Sequence, residues 1–271
     1  MADTGAQGLR AYGLIAGMWL RSSLAYPWSF WLTTAGNLVV TFLDFVVLAV
    51  MFTHVQRLGG WSLPEVAFLY GTSAICLGLA DLTVGSLDQV GERVRDGSLD
   101  TVLLRPAPAL AQLAADRMAP RRLGRVLQGA GVLAWSLVSL RIDWTWGRVA
   151  MVPLLVVAGT VIFGAVFVAA AGFQIVVPGA AEAQNALTFG GSTLLQYPPT
   201  VYGRDLVRGV LYGVPLGFAN WVPAAYVLGR PLPEGLPGWL RFASPAVAAL
   251  FAALAALCWR AGLRAYRSTG S

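Results

Sequence analysis

The sequence predicts an all-α integral membrane protein: six transmembrane helices, an interfacial helix at the N-terminus and a short cytoplasmic helix after the second span. Three observations predict it. Of 271 residues, 57% are hydrophobic and only 12% charged, against about 25% charged in soluble domains. Six apolar segments approach the roughly 20 residues that cross a hydrocarbon layer. All 19 basic residues are arginine, and they concentrate in the connections that would lie on the cytoplasmic side.

Residues 1–26 form a first unit. Arg10, Gly13, Gly17, Arg21 and Ser22-Ser23 interrupt the apolar core that a secretory leader needs, so the N-terminus reads as retained and uncleaved. Leu9, Tyr12, Ile15, Met18 and Trp19 recur at helical spacing between Arg10 and Arg21, the pattern of a helix lying in the headgroup layer until Pro27 ends it. Residues 27–271 form the second unit, with spans placed at Trp28–Phe52, Leu63–Leu87, Val126–Leu140, Val149–Val177, Leu206–Leu228 and Ala243–Trp259. The third span is short, about 22 Å of helix, which leaves a five-span arrangement open.

The arginines weigh on that choice. Six spans with both termini inside leave five arginines outside; five spans leave six outside and expose Arg260, Arg264 and Arg267. Both arrangements keep Arg93 to Arg125 in the cytoplasm; the six-span count places Arg204 and Arg208 there too. Trp61, Trp144, Trp146, Trp221 and Trp239 fall near outer ends, where indole favours the interface. Outer connections at Thr53–Ser62, Arg141–Arg148 and Gly229–Phe242 leave no room for an external domain.

The longest polar interruption is the loop 88–124. Val90 and Val94 lie four apart, Glu92, Arg93, Arg95 and Asp96 point elsewhere, and Gly97 supplies a stop: a short helix and turn. Leu99, Val102 and Leu103 follow before Pro106 and Pro108 forbid a continuous helix. A solvated loop and a docking surface for a cytosolic partner both fit that pattern.

Asp44 and Asp81 are the carboxylates well inside predicted spans, with Asn37 and Gln174 as uncharged companions. Such groups are costly in lipid and face a protein interior or a watery path. Axial counting puts Asp44 roughly 25 Å and Asp81 roughly 9 Å from the inner ends of their spans, too far apart to pair. In Ala183–Tyr202, Gly190-Gly191 and Gln196-Tyr197-Pro198-Pro199 break any helix before Leu206, giving at most a half-helix near a gate. Gly209, Gly213 and Gly217 lie four apart, the spacing of a close helix contact, although Pro215 and Pro223 argue for a kink. The alanine-rich last span suits tight packing.

Catalysis has little raw material. Without lysine there is no Walker A or Schiff-base residue. One histidine, His54, and two distant cysteines, Cys76 and Cys258, exclude the usual zinc and disulfide frameworks. No Gly-x-Ser-x-Gly elbow is present. No catalytic and no metal-binding residue is therefore assigned.

Over nearly its whole length the chain resembles the membrane-spanning permease subunit of an ATP-binding cassette exporter, most of all the small six-span permeases of the type-two export class. The resemblance rests on Gly97-Ser-Leu-Asp-Thr-Val-Leu-Leu-Arg-Pro106, on Tyr197-Pro-Pro-Thr-Val-Tyr202 and on the stretch Pro215–Gly229. It implies a permease dimer, of identical or paralogous copies, on a cytosolic ATPase dimer that holds the Mg-ATP; this chain carries no cofactor. Glu92, Arg93, Arg95, Asp96, Gly97, Leu99 and Asp100 would form the coupling helix and the N-terminal helix the connecting element, while Asn37, Asp44, Asp81 and Tyr197 are candidates for the path. Related exporters carry two short outer helices between spans five and six, which the brief Pro231–Leu240 does not supply. The expectation is a bacterial plasma-membrane export subunit that binds lipid and no nucleic acid, its rivals an ion-coupled carrier using Asp44 and a non-transporting scaffold.

Overall fold

The computed structural model describes residues 2–116 and 122–267; among these every regular element is helical, apart from one isolated bridge between Leu58 and Trp61. The helices are α1 (Ala2–Leu24), α2 (Pro27–His54) and α3 (Leu63–Val84), then α4 (Val90–Arg95), α5 (Ser98–Leu103) and α6 (Ala109–Ala115). They continue with α7 (Leu123–Ser139), α8 (Trp146–Val176), α9 over 181–195, α10 (Arg204–Gly213), α11 (Leu216–Val227) and α12 (Ser244–Ala265). Pro27 and Pro64 sit in the first turns of α2 and α3, where a missing N–H costs nothing. Ser62 and Glu65 close a capping box at the start of α3, the Ser62 N–H donating to Glu65 Oε2 at 2.8 Å.

Contacts define two ends of the bundle. The distal end holds the α2–α3 connection with Gly59 and Trp61; the proximal end holds α4 and α5. α7 runs antiparallel to α3, its Arg122 bonded to Asp81 near the proximal end and its Ser136 hydroxyl donating to the Pro64 carbonyl at 2.7 Å near the distal end. α8 starts beside Tyr226 at Gly147 and ends where Gln174 accepts the Gly91 N–H at 2.8 Å. α9 starts proximally, its Gln184 receiving the Gln174 amide at 2.6 Å, and the chain reaches the distal end by Thr200, which donates to the Gly59 carbonyl at 2.8 Å. α12 returns to the proximal end, where Tyr266 donates to Asp100 at 2.8 Å.

Among the described residues four helices are long and apolar enough to cross a bilayer: α2, α3 with its continuation to Arg95, α8 and α12. A fifth would require α10 and α11 to count as one span. Their contacts say otherwise. The pair is bent by 78°, and it enters from Thr200 and leaves towards Arg230, which bonds Glu65 and the Gly60 carbonyl. Both feet therefore stand at the distal end, and the predicted span Leu206–Leu228 is a re-entrant hairpin. Pro215 removes an N–H at the bend, and beyond it fully buried Asn220 ties the pair to α3 and α9: it donates to the Leu69 and Leu195 carbonyls (2.8 and 3.1 Å) and accepts from Thr72 at 2.8 Å.

Two further expectations change with it. A helix does run through Gly190-Gly191, since α9 absorbs the pair beside a π turn at Ala186–Gly190. α10 and α11 are two short helices at the distal end, so Arg204 and Arg208, counted with the cytoplasmic arginines under six spans, lie distally, both beside Glu234. α7, with 17 residues, is too short for the same length criterion.

α3 is the axis of the bundle, with α7 along one side and α8 along another; α12 packs along α8. Lipid gives helices no hydrophobic drive to associate, so close backbone approach must supply the contact. A Cβ on Gly71 would meet the Gly129 carbonyl oxygen and the Leu133 nitrogen at 2.8 Å, and one on Gly172 would meet the Cys258 carbonyl at 2.7 Å. Within the chain, Gly209, Gly213 and Gly217 form no common helix seam. Gly209 and Gly213 have open space around them, and Gly217 lies beyond the bend. In α12 the buried alanines Ala248 and Ala255 are seven residues apart, followed by Gly262, which does bear out tight packing. Trp61 and Trp221 are buried, the latter donating to the Tyr197 carbonyl at 2.9 Å, whereas Trp144, Trp146 and Trp239 are exposed.

Candidate functional site

At the proximal end the chain folds into a hairpin, α4 and α5, around Gly97, whose left-handed backbone (φ +73°) suits glycine. Val90, Val94, Leu99 and Val102 bury inward in a small core completed by Leu113, Ala171, Ile175 and Trp259, so α6, α8 and α12 all grip the hairpin. Gly91 touches the Pro178 carbonyl, where any side chain would collide, and this lets its N–H reach Gln174.

The predicted coupling residues divide by this geometry. Glu92, Arg95 and Asp96 are exposed. Arg93 is paired with Asp116, Leu99 is fully buried, and Asp100 receives the Tyr266 hydroxyl. Hydrogen bonds from Ser98, side chain first and then its N–H at 2.9 Å, hold the Asp96 carboxyl below the usual carboxylate range. Burial, and then the bond to Asp100, push the Tyr266 phenol upward. Arg117 and Arg121 lie outside the described residues. α1 packs on α6, and its Tyr12 hydroxyl donates to the Thr83 carbonyl at 2.8 Å, while Leu9, Leu14 and Met18 stay exposed.

The second feature is a polar cleft of about 280 Å³ inside the bundle. α2 contributes Thr41 and Asp44 to one wall; α9 and the residues after it contribute Phe189, Ser192, Thr193, Gln196 and Tyr197 to the other. Tyr70 and Leu77 of α3 and Arg125 and Gln128 of α7 form its floor. The Tyr70 hydroxyl donates to the Thr41 carbonyl at 3.0 Å and lies 3.2 Å from the Gln128 amide nitrogen. The Arg125 guanidinium lies over the Phe189 ring at 5.1 Å, a favourable cation–π arrangement.

Of the four path candidates, Asp44 and Tyr197 meet in this cleft; Asn37 and Asp81 do not. Asn37 is exposed on α2 near Gly124. Asp81 is buried and ion-paired with Arg122 at 3.2 Å, the Arg122 Nη1 also donating to the Asp81 carbonyl at 2.8 Å. A carboxylate in an apolar bundle is expensive unless paired, so Asp81 is explained by the partner that Arg122 supplies. Arg125 was read as a cytoplasmic charge and belongs to the cleft. The available signal was spacing: Arg122, Arg125 and Gln128 recur every three residues along one side of α7. Among the described residues no group of His, Cys, Asp and Glu is arranged to hold a metal.

Residues 38–270 match the family described as ABC-2 family transporter protein. No curated protein and no solved structure matches the chain.

Proposed function

The chain belongs to the ABC-2 transporter family, and from that premise we propose that it is the membrane-spanning permease subunit of an ATP-driven exporter. It crosses a bacterial plasma membrane six times, through α2, α3, α7, α8, α9 with its extension to 201, and α12. Both termini lie with the hairpin on the cytoplasmic side. The end-to-end contacts of α7 and α9 support six crossings although both helices are short; local thinning and arginine snorkelling make up the length. α1 lies in the inner interface as the connecting helix, its apolar Leu9, Leu14 and Met18 turned to lipid.

The observation that carries the mechanism is the hairpin, with an outward face of Glu92, Arg95 and Asp96 and an inward face locked to three helices. A cytosolic ATPase dimer, holding the Mg-ATP, seats on that face. Its closure on ATP pushes the hairpin, and the bond chain Gly91–Gln174–Gln184 passes the displacement to α9. Because α9 carries Phe189, Ser192 and Thr193 of the cleft wall, hairpin movement changes the cleft. A second permease, identical or paralogous, faces the cleft and completes the path.

The test replaces Arg95 and Asp96 together by alanine in the chain coexpressed with its ATPase. The ATPase is expected to be lost on copurification, or its activity to become insensitive to the permease, while the thermal midpoint of the permease falls only slightly. Normal copurification and normal transport by the double variant would refute the coupling assignment.

A further inference from the structure

The cleft leaves two buried polar atoms of one helix face without partners. Arg125 Nη1 and Gln128 Oε1 are both inaccessible and unbonded, and Gln128 as a residue is 6% exposed. The carboxylate on the opposite wall, Asp44, forms no ion pair with Arg125 among the described residues. One guanidinium nitrogen and one amide oxygen left without partners at this depth cost free energy that a ligand drawing them into the cleft would offset. On the far side of Gln128, and sharing it as a wall, lies an apolar hollow of about 350 Å³ bounded by Leu38, Phe42, Phe45 and Trp135.

We propose that the cleft takes an acidic amphiphile, its anionic head on Arg125 and its protonated or hydroxyl oxygen donating to Gln128, with its hydrocarbon part against Leu77, Phe189 and the adjoining hollow. The inference rests on reading the cleft as the cargo path. Arginine matches a phosphate or carboxylate with two parallel donors, and the ring of Phe189 keeps the guanidinium turned into the cleft. Asp44 then acts as a like charge further along the route. It weakens an anion's hold and favours onward release.

The purified full chain in neutral detergent is titrated with dodecyl phosphate, dodecyltrimethylammonium and inorganic phosphate, with bound ligand counted by native mass spectrometry. Dodecyl phosphate is expected to bind saturably. Arg125→Gln should weaken it roughly tenfold or more, Arg125→Lys less, and Asp44→Asn should tighten it about two- to fivefold. Equal binding by Arg125→Gln, or preference for the ammonium amphiphile, overturns the proposal. Inorganic phosphate binding as tightly as dodecyl phosphate overturns the amphiphile and leaves a free anion as the cargo. The readout is binding to the isolated chain, so its failure leaves the ATPase-coupling test untouched, and failure of coupling leaves this one valid.

Discussion

α2 and α3 are both long, apolar helices that begin near a proline, yet they live in opposite surroundings. In their most apolar windows α2 is 6% buried within the chain and α3 is 83% buried. α3 is the shaft on which α7, α8 and the re-entrant hairpin are mounted; α2 is held mainly along α7 and leaves Val39, Val40, Leu43 and Val47 uncovered. Hydropathy reports that a segment prefers oil to water. Whether the oil is lipid or protein is decided by small residues and buried polar atoms, and those are what α3 has.

The sharpest test of that contrast is steric. Gly71→Leu on α3 drives a side chain into backbone of α7 that cannot retreat and should cost about 3 kcal/mol or more, read as a lower thermal midpoint and aggregation in detergent. Gly36→Leu on α2 meets nothing within 4 Å and should shift stability by less than about 0.5 kcal/mol. Equal losses would break the comparison.

The next effect concerns what α3 holds in place. Asn220→Ala strands the Leu195 carbonyl in a fully buried site and removes one of the bonds to the Leu69 carbonyl, which keeps the Thr72 hydroxyl, and the expected cost is about 1–3 kcal/mol. Faster proteolysis within α10 and α11 than elsewhere would show that the hairpin is released first. Smaller still is Arg230→Met, which leaves Glu65 at the head of α3 without its partner at 2.7 Å. The pair is partly solvated, so about 1 kcal/mol is expected by chemical denaturation.

The smallest effect lies where α3 continues into the proximal hairpin. Since the folded Asp96 carboxyl titrates below its unfolded counterpart, it contributes stability above the unfolded value that is lost as pH falls through the depressed one. Asp96→Asn should therefore lower the thermal midpoint slightly at neutral pH, leave it unchanged below the depressed value, and so flatten the acid side of the midpoint–pH curve.

Much of this was legible in the sequence: α2, α3, α8 and α12 announce themselves by uninterrupted apolar length, and the hairpin by Gly97 among alternating charges. Pro215 and Asn220 were visible too, but an apolar average over Leu206–Leu228 concealed that they reverse the chain. α9 was hidden for the opposite reason. Its Gln184, Ser192 and Thr193 lower its apolarity because they face a buried relay and a polar cleft, so a helix that runs through the bundle reads as a broken one. The spacing by four of Gly209, Gly213 and Gly217 marks no seam within the chain, whereas the contacts that form there, Gly71 with Gly129 and Gly172 with Gly262, pair residues on different helices.

The grip of Trp259 and Tyr266 on the hairpin also sets an order of manufacture. Ribosomes make residues 90–103 long before the two aromatic side chains that clamp them, so a nascent chain presents this segment unfinished. A motor protein that recognises only the clamped shape would ignore half-built copies, and assembly would wait for translation to pass residue 266.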